Sequence, residues 1–188
     1  MLLFLYIAAC FAIALGSYFF CWSKRDWLLL TLGLAFTLAA DYFLILHDRH
    51  LIGVAVFCFA HVAYIYRGYA QSHTQPRLAL ALVGLLLIIV GLMLTSDPIY
   101  AITAAYAALF IFNIYVSARH LKRNRALVIT GLLLFAACDI CVLLFNLPRY
   151  YGAPAWLRDI NFLIWVFYLP SQALLAVSAV NWRRKQHP

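Results

Sequence analysis

An all-α, polytopic membrane bundle of about seven transmembrane helices, forming a single domain over residues 1–188, is the fold the sequence predicts. Three observations predict it. Of the 188 residues 67% are hydrophobic and only 11% charged, too little polar surface to clothe a soluble domain of this size. Seven apolar runs are each long enough, at about 20 residues, to cross a hydrocarbon core of ~30 Å. The basic residues fall between those runs, where loops at the membrane surface place them.

The runs are 2–22, 27–46, 51–69, 78–95, 98–117, 126–146 and 160–181. The first has no basic start and no small-residue cleavage site, so it reads as a span rather than a secretory leader. Connections are short. The longest, Leu147 to Asp159, carries Pro148, Gly152 and Pro154 and reads as a non-helical surface loop. In the seventh run, Pro170 and Ser171 are expected to interrupt the helix and free a backbone carbonyl. Trp22, Trp27, Trp156 and Trp182 fall at the expected interfaces.

Charge excludes some functions and orients the chain. The net charge is +8, but the basic residues mark loops, so nucleic acid is not a partner. Lys24, Arg25, Arg67, Arg77, Arg119, Lys122, Arg123, Arg125, Arg183, Arg184 and Lys185 make 11 on one side. Arg49, Arg149 and Arg158 make 3 on the other. The positive-inside rule then puts the C-terminus in the cytoplasm and the N-terminus outside, in a cell (inner) membrane. Cys10, Cys21, Cys58, Cys138 and Cys141 lie in or at the edges of apolar runs and read as packing residues, the Cys138-x-x-Cys141 pair included.

An ionisable group in a span costs roughly 2.5–3.5 kcal/mol at the helix centre, so it faces the bundle interior and marks a site. Asp41 and Asp139 are the carboxylates well inside spans, and His61 is the mid-span histidine. Gly33-Leu34 precedes Asp41 at the spacing by which Gly131-Leu132 precedes Asp139, a faint internal duplication that places both carboxyls at similar depth in the outer half. His61 and Tyr64 share a helix face. Asn161, Trp165, Tyr168 and Gln172 form one stripe, and Thr103, Tyr106, Asn113 and Ser117 lie roughly on one side of the fifth run. For any one of these polar residues, helix–helix glue is the competing role.

The chemistry narrows by residue type. Zinc needs clustered histidines, and only one is mid-span, so neither metal nor organic cofactor is expected. No G-x-S-x-G accompanies Ser171. A proton-transfer pair fits Asp41 and Asp139: one neutral carboxyl as acid, one carboxylate activating water. The drier string around Asp139, and Thr37 and Tyr42 near Asp41, favour Asp139 as acid and Asp41 as base. A proton-coupled transporter, or a receptor-like membrane protein using the same two Asp as a ligand site, is the alternative class.

Those residues carry a resemblance. GLAFTLAADYFLIL, GVAVFCFAHVAYIY, GLLLFAACDICVLLF and YLPSQALLAVS resemble the YhhN-like lysoplasmalogenase family of multi-pass membrane hydrolases. The resemblance implies that Asp41, His61, Asp139, Tyr168 and Gln172 occupy family motif positions, with Asp41 and Asp139 catalytic. His61, Tyr168 and Gln172, together with Tyr64 and Asn113 from the polar helix faces, would bind substrate. It also implies hydrolysis of the vinyl ether bond of a lysophospholipid, a membrane lipid, to a fatty aldehyde and a glycerophospho-base. The chain departs from the family pattern at Pro170, and it has one span fewer near the N-terminus than the longer members. Of these expectations the orientation is the simplest to test. A reporter fused to the C-terminus should be active only if it is of the cytoplasmic kind; activity of an exported reporter there reverses the topology.

Overall fold

The computed structural model describes residues 2–72, 98–151 and 154–181. Among them are six α-helices: α1 (Leu2–Gly16), α2 (Lys24–Asp41), α3 (His50–Ser72), α4 (Pro98–His120), α5 (Arg125–Tyr151) and α6 (Asn161–Val177). Five helical segments are long and apolar enough to cross a membrane: Lys24–Leu46, His50–Ser72, Pro98–His120, Arg125–Asn146 and Trp156–Val177. A shorter apolar helix covers Phe4–Phe20. The protein is thus a membrane-integral helical bundle. The expected run 78–95 lies outside the described residues.

Helices dominate because hydrocarbon offers no partner for a free N–H or C=O, and a helix satisfies nearly all of them internally. Two expectations about proline do not hold. Pro148 does not open a loop: α5 runs through it to Tyr151, and a 3₁₀ turn follows at Ala155–Ile160. Pro170 does not break α6 either. Each proline removes one hydrogen bond, while the rest of the ladder holds the helix. Near Pro170 the Tyr6 hydroxyl of α1 donates to the Leu169 carbonyl at 3.1 Å.

The helices close a ring, α1 on α2, then α3, α4, α5 and α6, which returns to α1. The most extensively packed pairs are α2–α3 and α5–α6. Glycines permit both. The Tyr64 ring of α3 lies against Gly33, where any Cβ would collide with it. A Cβ on Gly131 would sit 3.2 Å from both the Leu175 side chain and the Ser171 carbonyl. The two glycines of the sequence echo therefore do the same job in the two hairpins. Outward faces stay apolar, as with Ile111 (69% exposed) and Phe162 (62%), which suits contact with lipid.

Helix directions follow from paired residues. His61 stacks on Phe110, and Tyr69 packs beside His120, so α3 and α4 run parallel. Tyr6 meets Leu169, and Cys21 pairs with Val180, so α1 and α6 are parallel as well. In contrast α2 runs antiparallel to α3, with Asp26 against Arg67, and α5 antiparallel to α4, with Asp139 against Tyr106.

One end of the bundle is tied by Arg67. Expected as a loop charge flanking a span, it is instead 1% exposed inside α3, drawn in by a carboxylate that neutralises it. Its Nε donates to Asp26 Oδ1 at 2.8 Å and its Nη2 to Oδ2 at 3.1 Å. Nη1 donates to Ser178 Oγ at 2.7 Å, and Nη2 also reaches the Ser178 carbonyl at 3.1 Å. Gln71 Nε2 donates to Asp26 Oδ1 at 2.6 Å, while Gln71 Oε1 accepts the backbone N–H groups of Lys122 and Arg123. Asn124 sits with φ of 50° in the α4–α5 turn, a conformation Asn tolerates well, and donates to the Ser178 and Val180 carbonyls. One cluster thus joins α2, α3, the α4–α5 turn and the end of α6.

Removing one partner of a buried ion pair strands the other charge, typically at a cost of ~3–5 kcal/mol. Arg67→Ala and Asp26→Ala should each lower the thermal midpoint strongly. The double change Arg67→Ala with Asp26→Ala should lower it less than the sum of the two. Additive losses in that cycle would show that the pair is not coupled.

Candidate functional site

The two carboxyls lie towards the end of the bundle opposite Arg67. Asp41 is the last residue of α2, and the chain continues from it as a π-helical turn, Tyr42–Leu46. Such turns widen the backbone spiral and shift which side chains face inward. Asp41 is 3% exposed, and its Oδ2 accepts a hydrogen bond from the Tyr168 hydroxyl of α6 at 2.6 Å. Asp139, on α5, is half-buried, and its Oδ2 accepts from the Tyr106 hydroxyl of α4 at 2.6 Å. Each carboxyl therefore meets a tyrosine from another helix.

A wall of rings joins the two pairs. Tyr168 packs edge-on against Phe135 of α5, with centroids 5.3 Å apart. Phe135 packs against Phe110, Phe57 and His61 at 5.3, 5.6 and 6.0 Å. His61 lies 5.1 Å from Tyr106, which closes the circuit to Asp139. The two carboxyls thus flank one cluster of packed aromatic rings, the aromatic chamber, each joined to it through its own tyrosine.

His61 is fully buried on the chamber side of α3. It stacks on Phe110 at 4.5 Å with rings 22° apart. The Asn113 amide of α4 donates to its Nδ1 at 3.2 Å, which leaves the ring proton on Nε2, and Nε2 has no partner among the described residues. Asn113 Oδ1 in turn accepts from Ser117 Oγ at 3.3 Å.

The sequence-predicted residues thus divide by depth. Asp41, Asp139 and Tyr168 line the chamber with His61. Asn113 supports His61 from the next turn of α4. Gln172 is buried one turn along α6 from Tyr168, where its Nε2 donates to Ser171 Oγ at 3.3 Å. Tyr64 does not approach the carboxyls. Its ring rests on Gly33, eight residues before Asp41 and so about 12 Å along α2, on the side of Arg67.

Two local expectations change. Neither neighbour expected to support Asp41 does so: Thr37 Oγ1 makes no hydrogen bond to it, and Tyr42 turns out to pack on His47, with centroids 4.4 Å apart. The α2 path carries those two side chains away while Tyr168 arrives from α6. Asp41, not Asp139, is also the more enclosed carboxyl, because the flanking residues of a helix point around it and burial is set by other helices. Tyr106 is the residue that sequence reasoning left out of the site. Its signal was present, a hydroxyl on the same side of the helix as Asn113, but its contact with Asp139 is tertiary. Among the described residues, no group of three or more His, Cys, Asp or Glu could hold a metal ion.

A model of the YhhN family matches residues 1–179. The chain belongs to the YhhN family. That match spans the whole chamber, from the α1 residue Tyr6 that braces α6 to the closing segment around Val177, so the aromatic chamber and its two carboxyls lie within the family's shared region. No curated protein and no solved structure matches the chain.

The tyrosine bonds make a direct prediction. Tyr168→Phe should shift the infrared carboxyl band that Asp41→Asn removes, and Tyr106→Phe the band that Asp139→Asn removes. Each phenylalanine should also cost ~1–3 kcal/mol of stability, as expected when a buried acceptor loses its donor. Unmoved carboxyl bands in both variants would dissolve the two pairs.

Proposed function

We propose that this YhhN-family protein is a membrane hydrolase that cleaves the vinyl ether bond of lysoplasmalogen-type lysophospholipids, releasing a fatty aldehyde and a glycerophospho-base. The observation that carries this reading is the pair of intramembrane carboxyls, each held by a tyrosine hydroxyl, around one aromatic chamber. Two carboxyls are what acid-catalysed hydration of an enol ether needs.

A neutral carboxyl gives its proton to the vinyl carbon distal to the ether oxygen, leaving an oxocarbenium ion. The second carboxyl, as an anion, stabilises that cation and takes a proton from the attacking water. Ring faces of the chamber add cation–π stabilisation. The hemiacetal so formed passes its hydroxyl proton to the glycerol oxygen as the carbon–oxygen bond breaks, which yields the aldehyde and the free alcohol. One water is consumed, and the two carboxyls end with their protonation states exchanged. Asp41 and Asp139 take these two roles. Tyr168 and Tyr106 orient them, and His61, Asn113 and Gln172 line the inner end of the substrate space. No cofactor takes part. The substrate, a single-chain amphiphile, enters sideways from the bilayer with its head towards the surface nearer the carboxyls.

The seven-span count belongs to this proposal. Its support is that α3 and α4 are parallel neighbours, since parallel helices in one membrane require an odd number of crossings between them. The cytoplasmic assignment of the Arg67 end, in a cell membrane, is supported by the exposed Arg25, Arg119, Lys122, Arg123 and Arg125 gathered there.

Purified protein incubated with lysoplasmalogen should release free aldehyde. Asp41→Asn and Asp139→Asn should each reduce that release by ~10²–10⁴-fold while the protein remains folded and inserted, because Asn keeps the shape but neither gives nor takes the proton. The pH–rate profile should be bell-shaped and report the pair as a unit. Near wild-type turnover by Asp139→Asn would end the paired mechanism. Substrate movement across vesicles without aldehyde would replace hydrolysis by transport.

A further inference from the structure

At the Arg67 end, about 22 Å along α2 from Asp41, a cavity of about 330 Å³ opens between the start of α2, the end of α3 and the α4–α5 turn. Its lining residues are Ser23, Arg25, Asp26, Ala70, Gln71, Lys122 and Arg123. Three of the seven are cations. The one anion, Asp26, is already neutralised: Arg67 Nε and Gln71 Nε2 donate to Oδ1, and Arg67 Nη2 to Oδ2. Among the described residues the cavity therefore carries a surplus of positive charge.

The cationic rim is also held in place. Gln71 Oε1 accepts the Lys122 and Arg123 amides at 3.0 and 2.9 Å, which fixes the turn that carries both side chains. The Arg123 guanidinium lies over the Trp22 ring, 4.9 Å from its centroid. Across the cavity, Arg25 stands in the first turn of α2, where the helix end favours negative charge. Arginine and lysine side chains lining a pocket at the membrane surface suit a phosphate ester.

We propose that this cavity is a binding site for a phosphate group, supplied by the headgroup of an anionic phospholipid in the leaflet at this end. The site is separate from the carboxyl chamber. A lysolipid with its ether bond at Asp41 and Asp139 has its own phosphate only a few bonds away, far short of ~22 Å. Occupation would bridge α2 to the α4–α5 turn and so reinforce the Arg67 cluster beneath it.

The test uses the full-length protein in neutral detergent, with thermal unfolding followed during titration with phosphatidylglycerol, phosphatidylcholine or sodium phosphate at constant ionic strength. Phosphatidylglycerol should raise the midpoint and phosphatidylcholine should not. Lys122→Gln with Arg123→Gln should weaken the phosphatidylglycerol effect by roughly fivefold per charge removed. Arg119→Gln with Arg125→Gln, which removes two charges from the same end but none from the cavity, should leave it intact. Arg25→Gln tests the opposite wall should the double variant fail to fold. An equal response to sodium phosphate, lost in the same variants, keeps the phosphate site and makes its ligand soluble instead of lipid. No response of the wild type to phosphatidylglycerol or phosphate, or equal losses in the cavity and control variants, overturns the proposal.

Discussion

A guanidinium buried among helices must be matched by a carboxylate, and Arg67 organises this bundle by that requirement. Taking both ions out of water is costly, and the cost is recovered only when every donor finds an acceptor. Arg67 finds them on α2 and at the end of α6, and Gln71 extends the same cluster to the α4–α5 turn. Four parts of the chain, far apart in sequence, are thereby fixed at one level. With that end tied, the helices rise from it in set directions, and what they carry at the far end is placed with them.

The carboxyl end is built on the opposite principle. It holds no buried cation among the described residues; its two Asp are satisfied by tyrosine hydroxyls instead. A neutral donor holds a carboxyl in place without fixing it as an anion, so either Asp can carry a proton. That freedom is what a proton-transfer pair needs and what an ion pair would remove. The two ends thus divide the work, one tight and fully charged, the other loose in charge but rigid in shape through its packed rings.

The faint repeat gains meaning from this geometry. Gly33 and Gly131 each let a neighbouring helix approach closely, and each precedes a chamber carboxyl by eight residues. The order α1–α2–α3 is echoed by α4–α5–α6: the middle helix of each triplet carries the Asp, and α3 lies parallel to α4 as α6 does to α1. The echo does not extend to the tyrosines. Asp41 is met from α6, the closing helix of the other triplet, whereas Asp139 is met from α4 of its own.

Much of the fold was legible in the chain. Apolar runs of spanning length and the confinement of charge between them follow from the bilayer alone, which forces helices wherever hydrophobic residues persist. The same rule made Asp41, Asp139 and His61 visible, because a polar group in such a run needs a reason to be there. Proline misled at Pro170 for a related cause: it weakens a helix in water, but in hydrocarbon the remaining ladder has nothing to exchange for. Partnership was not legible. That Tyr106 serves Asp139, that Tyr168 rather than Thr37 serves Asp41, and that Arg67 turns inward to Asp26 depend on helix rotation and neighbour order. The sequence by itself determined that buried polar groups exist and roughly at what depth, since hydropathy is a property of each residue. Which of them meet was decided only by the tertiary structure, because a hydrogen bond 33 or 127 residues long in sequence is set by how whole helices pack.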